Sequence, residues 1–141
     1  MKRANAFRIT AVICVFTFLA IPLTACGAKT FNIENITRIE LADGTTGKVV
    51  EINEPDIIQE LIQPFNNTEF KKGESTKNQA GWSYWLKFYQ GDKLTTSIVV
   101  HGHDGNRISF NDSFYDMSEA VISADTYREL LANKESLYDG E

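Results

Sequence analysis

The residues with the clearest capacity for chemistry in this 141-residue chain are two histidines and an aspartate close together. His101, His103 and Asp104 follow a run of β-forming residues, and side chains two positions apart on a strand point to the same side. Imidazole nitrogens and a carboxylate are common zinc ligands, so this spacing would allow a three-ligand metal site. A strand that ends in a solvated Asp104–Gly105 turn explains the same residues more simply, and we therefore predict no metal and no other cofactor.

A second group of residues suited to binding is the aromatic run between Trp82 and Tyr89. If this run is a strand, alternate side chains face opposite sides of a sheet. The inner side would carry Trp82, Tyr84, Leu86 and Phe88, and the outer side Trp85, Lys87 and Tyr89. Exposed aromatic rings beside a lysine are typical of a surface that stacks on a sugar ring or holds a peptide. Packing between neighbouring strands without a ligand is the simpler interpretation, and if a binding face exists, Trp85, Tyr89 and Lys87 are its predicted residues.

The first 25 residues have the pattern of an export signal. A basic start with Lys2, Arg3 and Arg8 precedes an almost wholly apolar stretch, residues 9–23. As a helix, these fifteen residues reach about 22 Å, which is shorter than the roughly 30 Å hydrocarbon core of a bilayer. We therefore predict a signal peptide over residues 1–25 and not a membrane-spanning helix.

The end of this segment, Leu23-Thr24-Ala25-Cys26, resembles the lipobox of bacterial lipoproteins. The resemblance implies cleavage after Ala25 and attachment of diacylglycerol to Cys26. It implies a mature protein on the extracytoplasmic face of the cell membrane, held there by lipid chains and not by a transmembrane helix. The alternative is an ordinary secreted protein in which Cys26 only happens to follow the cleavage site.

Charge and cysteine content exclude several classes of function. Loss of Lys2, Arg3 and Arg8 with the signal peptide leaves 11 basic and 19 acidic residues, a formal charge of −8. Nucleic-acid binding requires a basic surface, so no nucleic-acid partner is predicted. An acidic domain is also repelled by anionic lipid, and the lipid anchor must therefore hold it at the membrane. The resemblance implies that Cys26 carries the lipid, and the mature body has no other cysteine for a disulfide, a thiolate metal site or a nucleophile.

The rest of the chain predicts a single α+β domain, an antiparallel sheet of about five to seven strands with two helices packed on one face. Tight turns join most candidate strands, which argues against a parallel sheet. The first helix, capped by Asn53 or Glu54, carries an apolar stripe on one side and should end at Pro64. The second runs from about Ala124 to Ala132, with Ser123 or Asp125 as its cap. The predicted strands are 36–42, 48–52, 68–72, 82–90, 94–101, 107–110 and 113–116.

These elements divide the chain into four predicted segments. The signal peptide, residues 1–25, is followed by a polar, weakly structured lipidated tether, residues 26–35. The α+β domain occupies residues 36–133, and residues 134–141 form a frayed tail. A tether of this length spans at most about 30 Å, so the domain would stay close to the membrane.

Taken whole, the chain resembles the small lipoproteins of Gram-positive bacteria that carry one domain of unassigned function. The Gly81-Trp82-x-Tyr84 motif is similar to such domains, and the resemblance brings no catalytic residues with it. We therefore predict a non-enzymatic binding or accessory module of the cell envelope that contacts a protein or a glycan. One alternative is an inhibitor or immunity-type protein that blocks a basic extracellular enzyme or toxin. A third hypothesis is a hydrolase that uses both histidines.

Overall fold

The structure, a computed structural model, describes residues 28–77, 80–102, 105–117 and 123–138. They form an α+β domain with one antiparallel sheet and two helices, as predicted, but the sheet has eight strands and not five to seven. The elements in chain order are β1 (Ala28–Lys29), β2 (Arg38–Asp43), β3 (Val49–Ile52), α1 (Pro55–Asn67), β4 (Phe70–Ser75), β5 (Tyr84–Gln90), β6 (Lys93–His101), β7 (Arg107–Phe110), β8 (Ser113–Asp116) and α2 (Ala124–Asn133). The strand order across the sheet is β1-β4-β8-β7-β6-β5-β2-β3.

Turn chemistry explains two of the hairpins. Asn111 and Asp112 have φ values of 47° and 57°, the left-handed conformation that a two-residue turn needs to match the twist of its strands. The flanking strands β7 and β8 have the predicted bounds. Gly91, with φ of 57°, makes the turn between β5 and β6, where glycine avoids the clash of a side chain. These hairpins follow from residues adjacent in the chain.

Both helices pack on the same face of the sheet. Tyr84 of β5 contacts Tyr127 of α2, with ring centroids 4.8 Å apart, and Phe88 of β5 contacts Phe65 of α1 at 6.1 Å. Because Tyr84 and Phe88 are an even number of residues apart on one strand, they share a face. The core lies between this face and the helices, and its fully buried sheet residues include Ile39, Leu41, Val50, Ile52, Leu86, Phe88, Ile98 and Ile108. We call the opposite side of the sheet, which the described helices leave uncovered, the open face.

Helix α1 continues past Pro64 to Asn67, so the prediction that it ends at the proline is wrong. Pro64 has no amide hydrogen for the preceding turn, which removes one helical hydrogen bond. The next residue, Phe65, is 1% exposed and contacts the rings of Phe31 and Phe70. A hydrogen bond contributes about 1 kcal/mol net, whereas burial of a phenylalanine contributes roughly 2–3 kcal/mol, so packing stabilises the last turn.

The segment predicted to be a weakly structured tether belongs to the folded domain from residue 28 onward. Ala28–Lys29 is an edge strand, and Phe31 and Ile33 are buried in the core. β1 and β2 lie six strand spacings apart, which is about 29 Å. Residues 30–37 connect the two strands, and Asn35 among them has a left-handed φ of 57°. We call residues 30–37 the strap; its attachment to α1 includes a 2.8 Å hydrogen bond from the Ile33 amide to Asn66 Oδ1.

Residues 134–138, predicted to belong to a frayed tail, are also attached to the domain. The Leu137 amide donates to the Val49 carbonyl of β3 at 2.7 Å. Lys134 Nζ forms an ion pair with Glu54 at 2.6 Å. The chain after α2 therefore covers part of the outer edge of β3, and the predicted domain boundary at residue 133 is too early. The signal peptide, Cys26 and residues 139–141 lie outside the described residues.

Candidate functional site

One end of the open face, the end away from β1, is built from strands β5, β2 and β3, of which β3 is the edge strand. Antiparallel register places Arg38 opposite Tyr89 and Glu40 opposite Lys87. Glu51 of β3 lies opposite Glu40 on its other side. We call these five residues, Arg38, Glu40, Glu51, Lys87 and Tyr89, the central cluster. Two positions along β5 from Lys87, on the same face, is Trp85.

Glu40 is the most buried residue of the central cluster and, among the described residues, the one buried charged residue, at 8% exposed. Arg38 Nη1 donates to its Oε1 at 2.8 Å, and Lys87 Nζ donates to its Oε2 at 3.3 Å. Burial raises the pKa of this carboxyl, but the hydrogen bonds and charges of Lys87 and Arg38 outweigh it, and the net pKa is lowered. Glu40 is therefore ionised at neutral pH and holds both cations against the sheet.

Two contacts between cations and aromatic rings extend this arrangement. The guanidinium carbon of Arg38 lies 3.9 Å from the centroid of the Tyr89 ring, and Lys87 Nζ lies 4.8 Å from that of Trp85. Such contacts contribute roughly 0.5–1 kcal/mol each at exposed sites. Burial, followed by the charge of Glu40, raises the pKa of the Tyr89 hydroxyl. The cluster therefore holds its side chains in defined positions, which reduces the entropy lost when a partner binds.

Trp82 and Trp85, which we call the tryptophan pair, form an exposed aromatic surface beside the central cluster. Trp82 is 40% exposed and Trp85 is 37% exposed. Their ring centroids are 6.1 Å apart and their planes meet at 76°, an edge-to-face arrangement. Two perpendicular rings form a corner in which a sugar ring or an apolar side chain can pack against one ring face and one ring edge.

The position of Trp82 corrects the prediction from strand alternation, which placed it on the helix-covered face. Strand β5 begins only at Tyr84, so Trp82 precedes the regular alternation. The amide of Gly44, in the turn after β2, donates to the Ser83 carbonyl at 2.8 Å. A Cβ atom at Gly44 would lie 2.2 Å from the Trp82 carbonyl oxygen and 2.8 Å from its ring, so only glycine permits this approach.

The three predicted binding residues lie on one face but have different surroundings. Trp85 is exposed, whereas Lys87 and Tyr89 are half-buried. Because Arg38 lies over the Tyr89 ring, Tyr89 supports the face more than it presents a surface. The surface available to a partner is thus the tryptophan pair with Lys87 at its border. Sequence reasoning missed Trp82; the signal was the Asp43–Gly44 turn, whose contact with Trp82 depends on the pairing of β2 with β5.

His101 lies at the end of β6, and both of its ring nitrogens have hydrogen-bond partners. Nδ1 is 3.1 Å from the Gly81 carbonyl oxygen and Nε2 is 2.8 Å from Ser109 Oγ. A carbonyl oxygen can only accept, so Nδ1 carries the hydrogen and Nε2 accepts from the Ser109 hydroxyl. Burial is the main cause that lowers the pKa of this imidazole; the Arg107 charge adds to it, and the bond to Gly81 opposes it. The neutral ring thus anchors Gly81, which directly precedes Trp82, and in this arrangement leaves neither nitrogen for a metal ion.

The other two predicted metal ligands, His103 and Asp104, lie outside the described residues, so the three-ligand site stays a prediction. Over the described ranges, no three His, Cys, Asp or Glu side chains come together in a group that could hold a metal ion. His101 instead contacts the ring of Phe114, with centroids 5.0 Å apart. Its described surroundings are those of a side chain that positions neighbouring backbone.

A groove between α1 and α2 is a second concave feature of the domain. It has a volume of about 370 Å³. Ile57, Leu61 and Leu130 supply its apolar lining. The exposed residues Glu60 and Glu129 add carboxylates, and Lys134 adds a cation that is paired with Glu54. The groove therefore combines an apolar surface with negative charge.

Neither of the described helices has the length and apolar character needed to cross a membrane. The described residues offer two candidate sites, the tryptophan pair on the open face and the groove between the helices. Comparison of the chain with protein-family models, with curated proteins and with solved structures finds no match.

Proposed function

We propose that this protein is a lipid-anchored protein of the bacterial cell envelope that binds an envelope protein or glycan through its open face, without catalysing a reaction. The lipobox-like stretch ending at Cys26 supports the anchor and the extracytoplasmic location. The formal charge of −8 after signal removal supports a partner other than nucleic acid. The open face supports binding, because it joins exposed aromatic rings to fixed polar groups.

The observation that carries this proposal is the exposure of the tryptophan pair. Two tryptophans at 40% and 37% exposure leave a large apolar area in water, and burial of that area in an interface is favourable. Tryptophan is among the residues that contribute most to binding at interfaces. The pair is also positioned in advance, by Gly44 beneath Trp82 and by Lys87 over Trp85. A partner would therefore bind without first having to order these rings.

The binding proposal is tested by comparing the wild-type protein with a Trp82→Ala, Trp85→Ala variant. Each is incubated with isolated cell wall and, separately, with solubilised membrane proteins of the same bacterium, and retention is measured at several concentrations. We expect the variant to bind about tenfold or more weakly, since truncation of a central interface tryptophan has effects of this size. Tyr138→Ala is the matched control, because Tyr138 is 69% exposed, lies after α2 and is not part of the tryptophan pair.

Equal retention of all partners by the double variant and the wild type would contradict the open-face proposal. Thermal unfolding of each variant, followed by circular dichroism, shows whether a loss of binding reflects a loss of folding. Retention by cell wall identifies a glycan as the partner, and retention of a membrane protein identifies a protein.

The anchor is tested separately by expressing the full chain with Cys26→Ser in a bacterium supplied with radiolabelled palmitate. We expect label and membrane association in the wild type and neither in the variant, because the thiol is the attachment point. Membrane association of the variant equal to that of the wild type would contradict the anchor.

The groove between α1 and α2 supports a second candidate function, inhibition of a basic extracellular enzyme or toxin. Its apolar lining could accept an apolar side chain, while Glu60 and Glu129 would attract neighbouring cations. Such binding should weaken with added salt and with Glu60→Gln, Glu129→Gln, and it should be unaffected by loss of the tryptophan pair. Binding that is lost with the tryptophan pair and kept with both glutamines would exclude this function.

A further inference from the structure

The chain enters the folded domain at one edge of the sheet. β1 is an edge strand, and Ala28 is paired with Lys71 of β4. Between Cys26 and Ala28 there is only one residue, Gly27. Two consecutive Cα–Cα distances limit the separation of Cys26 and Ala28 to about 7.6 Å. If Cys26 carries lipid in the membrane surface, as the proposed function holds, the β1–β4 edge lies within about one nanometre of that surface.

The residues after Ala28 cannot act as a flexible spacer. Phe31 is 7% exposed and contacts the ring of Phe70 at 5.0 Å, and Ile33 is 4% exposed. Release of the strap would expose these side chains to water, and full burial of one such side chain contributes roughly 1.5–3 kcal/mol. The folded domain is therefore attached to the anchor by a link of two residues.

This edge also has a local charge that differs from that of the whole domain. It carries four lysines, Lys29, Lys71, Lys72 and Lys77, against the nearby carboxylates of Glu69 and Glu74. A third carboxylate, Asp116 of β8, lies opposite Lys71 but is paired with Arg107. Lys71 and Lys72 are exposed, and neither forms an ion pair within the described residues. After signal removal the chain has 11 basic and 19 acidic residues, so an excess of cations at one edge is a departure from the average. Lysines close to an anionic membrane are attracted to it, and the attraction decays within a Debye length of about 8 Å.

We infer that the β1–β4 edge is a membrane-contact surface and that Lys71 and Lys72 bind anionic phospholipid headgroups. The inference rests on the proposed function for the anchor and adds an orientation to it. Two restraints act on the same edge: the short covalent link through Gly27, and two lysines that form no ion pair with any described residue. The acidic remainder of the domain is repelled by the same headgroups, which favours contact through this edge alone.

The orientation determines where the tryptophan pair is presented. Trp85 is in β5, five strand spacings from β1, which is about 24 Å along the sheet. With the β1–β4 edge on the membrane, the sheet holds the tryptophan pair away from the lipid. The open face then meets partners in the layer above the headgroups. The width of the sheet, and not a flexible segment after Cys26, sets the distance between the tryptophan pair and the lipid.

The experiment measures the distance of two labelled positions from the membrane surface. Ser75→Cys, in β4, and Thr45→Cys, in the turn between β2 and β3, are each labelled with a fluorophore in the lipidated protein, in which the Cys26 thiol is occupied. Both positions are exposed. The proteins are reconstituted into vesicles of phosphatidylcholine and phosphatidylglycerol that contain a nitroxide headgroup quencher. We expect strong quenching at position 75 and little at position 45.

The role of the lysines is tested with Lys71→Gln, Lys72→Gln in the Ser75→Cys protein. The ratio of docked to undocked molecules should fall on the order of tenfold, because two attractions to the anionic surface are lost. Lys93→Gln, Arg128→Gln removes the same charge elsewhere on the surface and should leave quenching unchanged. Vesicles of phosphatidylcholine alone should reduce quenching of the wild type to the level of the lysine variant.

Two results would overturn the inference. One is quenching at position 45 that equals or exceeds quenching at position 75. The other is quenching at position 75 that is the same in the wild type and the lysine variant, and the same with and without anionic lipid. Failure of the anchor is a distinct outcome, detected as absence of palmitate label on Cys26. In that case the mature chain is coupled through Cys26, its one cysteine, to a maleimide phospholipid. Positions 75 and 45 then carry a fluorescent unnatural amino acid and not a labelled cysteine, so that the orientation is still measured.

Discussion

Glu40→Gln tests whether one buried carboxylate holds the central cluster together. The substitution keeps the shape of the side chain and removes the charge that Arg38 contacts at 2.8 Å and Lys87 at 3.3 Å. The amide has one acceptor oxygen, so one cation keeps a neutral hydrogen bond and the other faces an N–H group. Glu51, 3.3 Å from Arg38, is then the remaining carboxylate of the cluster.

The expected loss in free energy of unfolding is about 2 kcal/mol. Breaking a fully buried ion pair by removing one partner costs about 3–5 kcal/mol. An exposed pair contributes only about 0–1 kcal/mol. The Glu40 side chain is 11% exposed, but the side chains of Arg38 and Lys87 are 24% and 31% exposed, so water compensates part of the loss. For a domain of this size, about 2 kcal/mol corresponds to a decrease in Tm of roughly 8 °C.

The effect should depend on pH in one direction. The folded state lowers the pKa of Glu40 below its usual value of 4.5, so the folded state favours the ionised carboxylate. This stabilisation is fully present above that usual value and is lost as the pH falls through the folded pKa. The difference in stability between wild type and Glu40→Gln should therefore be largest near neutral pH and should shrink in acid.

Urea unfolding followed by tryptophan fluorescence, at about pH 7 and at about pH 3.5, measures the loss in free energy of unfolding and its dependence on pH. Glu51→Gln is the matched control. Glu51 is 32% exposed and contacts only one of the two cations, so its substitution should cost less than about 1 kcal/mol. Equal losses for the two variants, or a Glu40→Gln loss that is the same at both pH values, would refute the assignment of Glu40 as the centre of the cluster.

Three further predictions concern other parts of the domain. Phe31→Ala should destabilise the fold by about 3 kcal/mol in urea unfolding, because it leaves a cavity in the core; a loss under about 1 kcal/mol would show that the strap is not part of the core. Gly44→Ala should cost about 2 kcal/mol and shift the emission of Trp82, because the new Cβ overlaps the Trp82 carbonyl; unchanged emission would contradict this contact. The folded state lowers the pKa of His101, so the unfolded chain binds the proton more readily and stability should fall as the pH drops below about 6.5. Unfolding measured across that range should show a smaller fall for His101→Gln, and identical profiles would contradict the burial of a neutral ring.

Much of the secondary structure could be predicted because it depends on neighbouring residues. The hairpin of β7 and β8 has the predicted bounds, since Asn111 and Asp112 accept the positive φ that the turn demands. The apolar stripe of α1 was likewise visible as a spacing of a few residues. For the cap of α2 the sequence offered Ser123 or Asp125, and in the structure the Ser123 side chain accepts from the Asp125 amide. Their packing on a single face followed from an antiparallel sheet with one apolar side.

Where the sequence-based predictions were wrong, a distant contact outweighed a local rule. Pro64 is a local signal for the end of a helix, but the burial of Phe65 against Phe31 and Phe88, both more than twenty positions away, extends α1 by a turn. The polar residues of the strap led to its prediction as a tether. Its Phe31 is buried because it contacts rings of α1, β4 and β7 that come together only in the folded domain. Trp82 lies on the open face because the turn at Gly44 is brought beside it when β2 pairs with β5.

The sequence by itself determined the net charge and the lipobox resemblance, and it predicted an export signal and the positions of most helices and strands. All of these are read from composition or from residues within one turn of each other. Only the tertiary structure decided that Glu40 joins Arg38 to Lys87, that the tryptophan pair forms, and that the chain enters at the lysine-bearing edge of the sheet. Strand order and register bring together residues tens of positions apart, and this register is determined by burial of one face across the whole sheet. No pattern within a single strand carries that information.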